Sequence, residues 1–168
     1  MTKIKIGILL SALASLGACE QAPVTPSEPF PLVEATINGV QTAIKSGQTT
    51  CRAVVVGYIA RIKAYDQSNG INAITVINPN ALKKADEADA ALKAGEDLPE
   101  LYCVPVLVKD NYDTHDMITS GGSLALKDSI PPDDAFMVRR LREEGAIVVA
   151  KTNMAEWAFS PRESVSSS

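Results

Sequence analysis

The sequence predicts an α/β domain that opens on two helices and continues into parallel strands joined through a helix. Three observations carry this reading. Apolar residues recur every three or four positions across residues 33–62, two short β-branched runs occupy residues 104–108 and 146–150, and a further helical pattern lies between those runs.

Taken in chain order, Val33, Ile37, Val40 and Ile44 trace one face of a first helix, with Gly47 as its stop. Thr49 or Thr50 can cap a second helix that runs through Tyr65 and buries Val54, Val55, Tyr58, Ile59 and Ile62. Residues 72–77 alternate and are rich in β-branched side chains, the pattern of a strand. Asn78 then caps a third helix with Pro79 at its first position; Ala81, Ala85, Ala88 and Leu92 form its inner stripe and Gly95 ends it. The charged residues of that helix, Lys83, Lys84, Asp86, Glu87, Asp89 and Lys93, read as a solvated face.

Residues 104–108 and 146–150 have the length and composition of strands buried on both faces. Between them, Asp133 or Asp134 caps a helix that carries Phe136, Met137, Val138 and Leu141 and stops at Gly145. Strand, helix, strand predicts a right-handed parallel crossover, and ligands of such sheets sit beyond the carboxyl ends of the strands. The residues after Val108 and Ala150 therefore matter most.

The first residues stand apart from this domain. Lys3 and Lys5 precede an apolar or small run over residues 6–16, and Gly17 and Ala18 lead into Cys19, which reads as a secretory signal over residues 1–18. The run is too short for a spanning helix, which needs about 20 apolar residues. Leu16, Gly17, Ala18 and Cys19 resemble the lipobox of bacterial lipoproteins, which makes Cys19 the expected lipidation site; a plain signal peptide with an incidental Cys19 is the alternative. The expected location is the bacterial cell envelope, periplasmic or at the cell surface, held by a lipid anchor. Pro23, Pro26, Pro29 and Pro31 mark residues 19–31 as an extended tether, and residues 32–168 form the domain.

Composition excludes other classes. The chain has 168 residues, 46% of them hydrophobic and 21% charged, and a net charge of −4 with no basic stretch, so nothing in it neutralises a nucleic-acid backbone. Loss of the signal removes two lysines and no acid, leaving the exported part more acidic still. Cys51 and Cys103 are far apart with no CxxC or Cys/His grouping, which gives no metal site. An oxidising compartment permits a disulfide between them, and buried free thiols suit the sequence equally.

Lys109, Asp110, Asn111, Tyr112, Asp113 and Thr114 follow Val108, with Thr119, Ser120, Gly121, Gly122 and Ser123 close behind; Lys151, Thr152 and Asn153 follow Ala150. VPVLVKDNYDT with TSGGS, and GAIVVAKTNMAEWA, closely resemble the amidase signature family of serine hydrolases. The resemblance extends to the opening helix pair and to NAITVINPNALKKADEADAALKAG, covering residues 32–160. It implies the N-terminal part of that family's α/β/α fold, with a helix pair and then a mixed sheet flanked by helices. It also implies hydrolysis of carboxylic amides through an acyl-serine intermediate, without metal or organic cofactor, on small-molecule or peptide amides.

In that family a lysine, a serine preceded by a cis peptide bond and a nucleophilic serine form the catalytic triad, and Lys109 matches the lysine. The chemistry needs it because a serine hydroxyl attacks an amide only if a base takes its proton. A free lysine is neutral in only about four parts in ten thousand at pH 7, and the position of Lys109 after an apolar strand suggests burial, which favours the neutral form. Asp110, next along the strand, should point to the opposite side. Both serines of the family pattern come after the KTN segment, in glycine-containing turns, whereas this sequence has no glycine after Gly145 and ends on Ser166, Ser167 and Ser168. The expectation is an N-terminal fragment of an amidase, inactive alone. The alternative is a non-catalytic exported lipoprotein, an amidase remnant acting as a binding or structural module.

Among the remaining candidates, Thr119, Ser120, Gly121, Gly122 and Ser123 read as a glycine-permitted loop lining the substrate pocket; a local Ser/Lys dyad of Lys109 with Ser120 or Ser123 is the competing reading. His115, the single histidine, has no companions at ligand spacing and reads as a loop residue. Trp157 and Phe159 read as core anchors.

Overall fold

The computed structural model describes residues 30–157. Helices α1 (Ile37–Lys45) and α2 (Cys51–Tyr65) lead into strand β1 (Ile74–Ile77), helix α3 (Ala81–Ala94), strand β2 (Pro105–Lys109), helix α4 (Phe136–Glu143) and strand β3 (Ile147–Thr152). The sheet order is β1-β3-β2, with β3 parallel to β2 and antiparallel to β1. This is the mixed α/β arrangement expected, with the two apolar runs parallel and adjacent. No helix among the described residues is long and apolar enough to cross a membrane. Residues 1–18, Cys19, Phe159 and the terminal serines lie outside the described residues.

The opening helix pair is capped by its own hydroxyls. The Thr36 side chain accepts from Gly39 N–H and that of Thr50 from Ala53 N–H, each satisfying an amide that has no partner within its helix. The first helix starts later than its apolar spacing suggested. Val33 sits in a turn before it, Ile37 is exposed at its first position, and the buried side is Val40, Ala43 and Ile44. Leu32 takes the core contact instead, lying over α2 so closely that a β-carbon on Gly57 would meet its Cδ1 at 2.2 Å.

The third helix corrects two expectations. It begins at Ala81 with Asn80 in the cap position, because Asn78 is committed elsewhere: its Oδ1 accepts from Asn80 N–H at 2.8 Å and its amide donates to Val148 O on the central strand at 2.8 Å. Asp89 does not belong to a purely solvated face. Its two carboxylate oxygens accept from Cys51 N–H at 2.8 Å and Arg52 N–H at 3.0 Å, capping α2 from α3 and placing an anion at the positive end of that helix. The five other charged residues of that face are exposed. A similar diversion moves the cap of α4 to Ala135, since Asp134 accepts from His115 N–H and pairs with Arg142. Of the apolar residues expected to bury that helix, Val138 does so, while Phe136 and Met137 are exposed.

Two apolar clusters pack on the sheet. Val40, Ile44, Val54, Val55, Ala81 and Ala85 from α1–α3 gather around Ile147 and Val149, whereas Val138 of α4 packs with Met117, Val108 and Val148. Residues 147–151 are buried throughout because β3 is central. β2 has the composition of a strand buried on both faces, but among the described residues it is an edge of the sheet and leaves Leu107 51% exposed. Trp157 is likewise no core anchor: it is 64% exposed with a positive φ of 58°.

Cys51 and Cys103 form a disulfide, which decides between the two alternatives open in the sequence; their Cα atoms are 5.6 Å apart and neither residue has exposed surface. The bond ties the start of α2 to the turn that launches β2 across a sequence separation of 52. A closed loop of that size restricts the unfolded chain by about 4 kcal/mol. The Cys51→Ala/Cys103→Ala variant should lose stability of that order in urea unfolding; an unchanged midpoint, in the variant or in parent protein under reductant, would contradict it.

Candidate functional site

The site is built where β2 and β3 end side by side. Their register carries an irregularity: Val106 pairs with Val148 but Leu107 pairs with Ala150, so β3 holds one extra residue, Val149. Val149 follows Ile147 onto the face covered by α1–α3. Strict alternation would send Lys151 to that same face. The extra residue instead sets Lys151 opposite Val108, on the α4 face, which is how a bulge re-aims a side chain.

Lys151 has no exposed surface. Its ammonium donates to Tyr112 O and Thr119 Oγ1, each at 2.7 Å, lies 3.4 Å from Ile118 O and 3.5 Å from Thr114 Oγ1, and pairs with Asp110 Oδ1 at 3.5 Å. Burial pulls this amine below the usual lysine range; Asp110 foremost, with Asp113 and Asp116, opposes that pull. The buried Asp110 carboxylate in turn accepts from the backbone N–H of Ser120 and Gly122 and from the Ser120 hydroxyl. One buried ion pair therefore organises residues 110–122.

Lys109 is placed otherwise than expected. It is exposed, not buried: among the described residues β2 is an edge strand, and the side chain leaves on the face of Leu107. Asp110 does point to the opposite side, as alternation requires. The side chain of Lys109 makes no hydrogen bond or ion pair among the described residues, while its backbone is held: Tyr112 N–H donates to Lys109 O at 2.9 Å and Asp110 N–H to Thr152 O at 3.0 Å.

The predicted loop is brought to Asp110 and not to Lys109. The Ser120 hydroxyl donates to Asp110 and the Ser123 hydroxyl to Glu156, so neither serine forms a dyad with Lys109. Ser120 and Ser123 line a cavity of about 140 Å³ together with Asp110, Ile118 and Thr75; Thr119, Gly121 and Gly122 do not. Gly122 is the tightest point, since at φ 75° a β-carbon would lie 2.5 Å from Met154 O. A larger apolar groove of about 530 Å³ lies elsewhere, between α1, α2 and the open side of β2.

His115 is exposed in a loop, with Nδ1 2.9 Å from Asp134 Oδ1. His115, Asp116 and Asp134 could bring ligand atoms within 4.8 Å of one another, but Arg142 already pairs with both carboxylates, at 2.7 and 3.1 Å. The cluster is a closed charge network around α4 rather than an open cation site.

The burial expected for Lys109 belongs to Lys151. A signal for this was present in the sequence: AIVVAKT is an unbroken apolar run into its lysine, whereas VPVLVKD is interrupted by Pro105, a residue of edge strands.

A family model described as Amidase matches residues 53–167. A glutamyl-tRNA(Gln) amidotransferase subunit of Alkaliphilus metalliredigens is 44% identical over 127 residues, covering 75% of this chain and 26% of that protein. A probable amidase of Arabidopsis thaliana is 37% identical over 155 residues, covering 90% of this chain and 30% of that protein. Among solved structures, the native peptide amidase from Stenotrophomonas maltophilia matches with a TM-score of 0.73 at 40% identity, over 77% of this chain and 26% of that chain. The chain belongs to the amidase signature family, and it spans between 26% and 30% of the length of these relatives.

The glycine geometry makes a local prediction. Gly122→Ala combines a left-handed backbone with a clash against backbone and should cost about 1–3 kcal/mol or more, whereas Gly121→Ala, at φ 60° with nothing within 4 Å, should cost only about 1 kcal/mol. Equal losses in chemical unfolding would contradict the packing described.

Proposed function

We propose that the protein containing this chain hydrolyses carboxylic amides, on a small molecule or a peptide, through an acyl-serine intermediate with Lys109 as general base. The observation that carries this reading is the contrast between the two strand-end lysines: the buried Lys151 is held by several acceptors, while exposed Lys109 leaves a hydrogen-bonded backbone with no side-chain hydrogen bond or ion pair among the described residues. In the proposed reaction the Lys109 amine takes the proton of a serine hydroxyl as that oxygen bonds to the amide carbon. The proton passes to the departing nitrogen as the C–N bond breaks, and water then hydrolyses the acyl-serine. The serines of this scheme come from beyond the KTN segment, since Ser120 and Ser123 are held by carboxylates.

In the complete protein, Lys109→Ala should lower turnover by about 100 to 10,000 fold and leave KM largely unchanged. Lys109→Arg should do little better, because a guanidinium does not give up its proton at workable pH. The 168-residue chain alone should not hydrolyse an aryl amide. Turnover by this chain that disappears in Ser120→Ala or Ser123→Ala would favour the local dyad, and near-parent turnover by Lys109→Ala in the complete protein would remove Lys109 from the mechanism.

We further propose that the protein is exported and anchored through an acylated Cys19 at the bacterial envelope. The Cys51–Cys103 disulfide supports export, since such bonds persist in oxidising compartments. Mass spectrometry of the mature N-terminus should find a lipidated Cys19, and Cys19→Ser should release the protein from membranes; an unmodified terminus elsewhere would refute the anchor.

A further inference from the structure

We propose that Lys151 is a positioning residue for Lys109, holding the chain that leaves β2 so that the Lys109 side chain departs in one fixed direction. The proposal rests on the reading of Lys109 as general base.

The partners of the Lys151 ammonium all come from one stretch of chain. They lie on residues 110, 112, 114, 118 and 119, the segment that begins immediately after Lys109. Asp110 alone would balance the charge. The additional acceptors include two backbone carbonyls, so the ammonium holds the path of the main chain rather than a single side chain.

Stability gives little reason for such a group. Replacing a buried ion pair by apolar residues of similar volume is often neutral or stabilising. A fully buried lysine, aimed by a strand irregularity at a loop, is therefore poorly explained by stability alone.

The route from Lys151 to Lys109 runs through the main chain. The Lys109 side chain makes no hydrogen bond or ion pair among the described residues, so what is fixed is the direction of its Cα–Cβ bond, and the backbone fixes it. Three constraints define that backbone: register with Thr152, the Asp110 N–H bond to Thr152 O, and the Tyr112 N–H bond to Lys109 O. Lys151 grips Asp110 through its side chain and Tyr112 through its carbonyl, the residues that supply two of the three. Misplacing a reacting group by about 1 Å costs on the order of 100-fold in rate, so loosening this grip should be visible in turnover.

The test compares Lys109→Ala, Lys151→Met and Lys151→Met/Asp110→Asn in the complete protein, measuring thermal stability, kcat and KM. Lys151→Met strands a buried carboxylate and should be unstable; the double variant removes both charges and should regain stability. The expected result is a double variant that melts above Lys151→Met yet keeps a kcat lowered about 10 to 100 fold with KM within about threefold. Recovery of kcat together with stability would show a merely structural role and overturn the proposal, as would a raised KM with parent kcat. If neither Lys151 variant folds, Thr119→Val removes one short partner of the ammonium without touching the charge pair; it should lower kcat severalfold at unchanged KM, and a parent kcat there would overturn the proposal. Near-parent turnover by Lys109→Ala would defeat the general-base reading itself, whereas an inactive Lys109→Ala beside a fully active double variant would defeat only the positioning role.

Discussion

The Asp110–Lys151 pair is the constraint on which the functional end of this chain depends. Two opposite charges with almost no exposed surface are tolerable only when their remaining hydrogen-bonding capacity is met, and here it is met by the loop itself. Tyr112, Ile118 and Thr119 supply acceptors to the ammonium, while Ser120 and Gly122 supply donors to the carboxylate. Breaking the pair from either side would leave an uncompensated buried charge. The path of residues 110–122 is therefore tied to the integrity of β3.

Polar side chains acting at long range recur elsewhere for the same reason, namely that buried backbone amides and carbonyls must find partners. Asp66 caps the turn into β1 by accepting from Ala73 N–H at 2.7 Å and Ile74 N–H at 3.3 Å, Asn78 bridges its own turn to Val148, and Asp89 closes the start of α2 from α3. The Cys51–Cys103 disulfide joins the same start of α2 to the turn before β2. Helix α2 is thus held at one end by a carboxylate and a covalent bond. Through the second of these it is tied to the strand that ends in Lys109.

The sheet divides the two lysines by a difference in position rather than in type. Lys151 ends a central strand and is folded inward by the extra residue at Val149; Lys109 ends an edge strand and is turned outward. The same amine is buried among acceptors in one place and, among the described residues, has no hydrogen bond or ion pair in the other.

Much of this was legible from the sequence. Local rules placed the four helices and three strands, a threonine cap on α2 at Thr49 or Thr50, the stop at Gly95 and the parallel pairing of the two apolar runs, because periodicity, hydroxyl caps and glycine stops act within a few residues. The motifs around Lys109 and Lys151 also identified the family, since they preserve residue types in order along the chain. What the sequence could not decide was anything that required knowing a distant neighbour. Asn78, Asp89 and Asp134 looked like local caps or solvated charges and proved to serve other elements; Cys51 and Cys103 became a pair only once α2 and β2 were adjacent. Above all, Lys109, expected to be buried, is exposed, while the buried lysine is Lys151 at the end of the neighbouring strand. Strand order and a one-residue shift in register decide which side chain is buried, and both are properties of the assembled sheet, not of either strand alone.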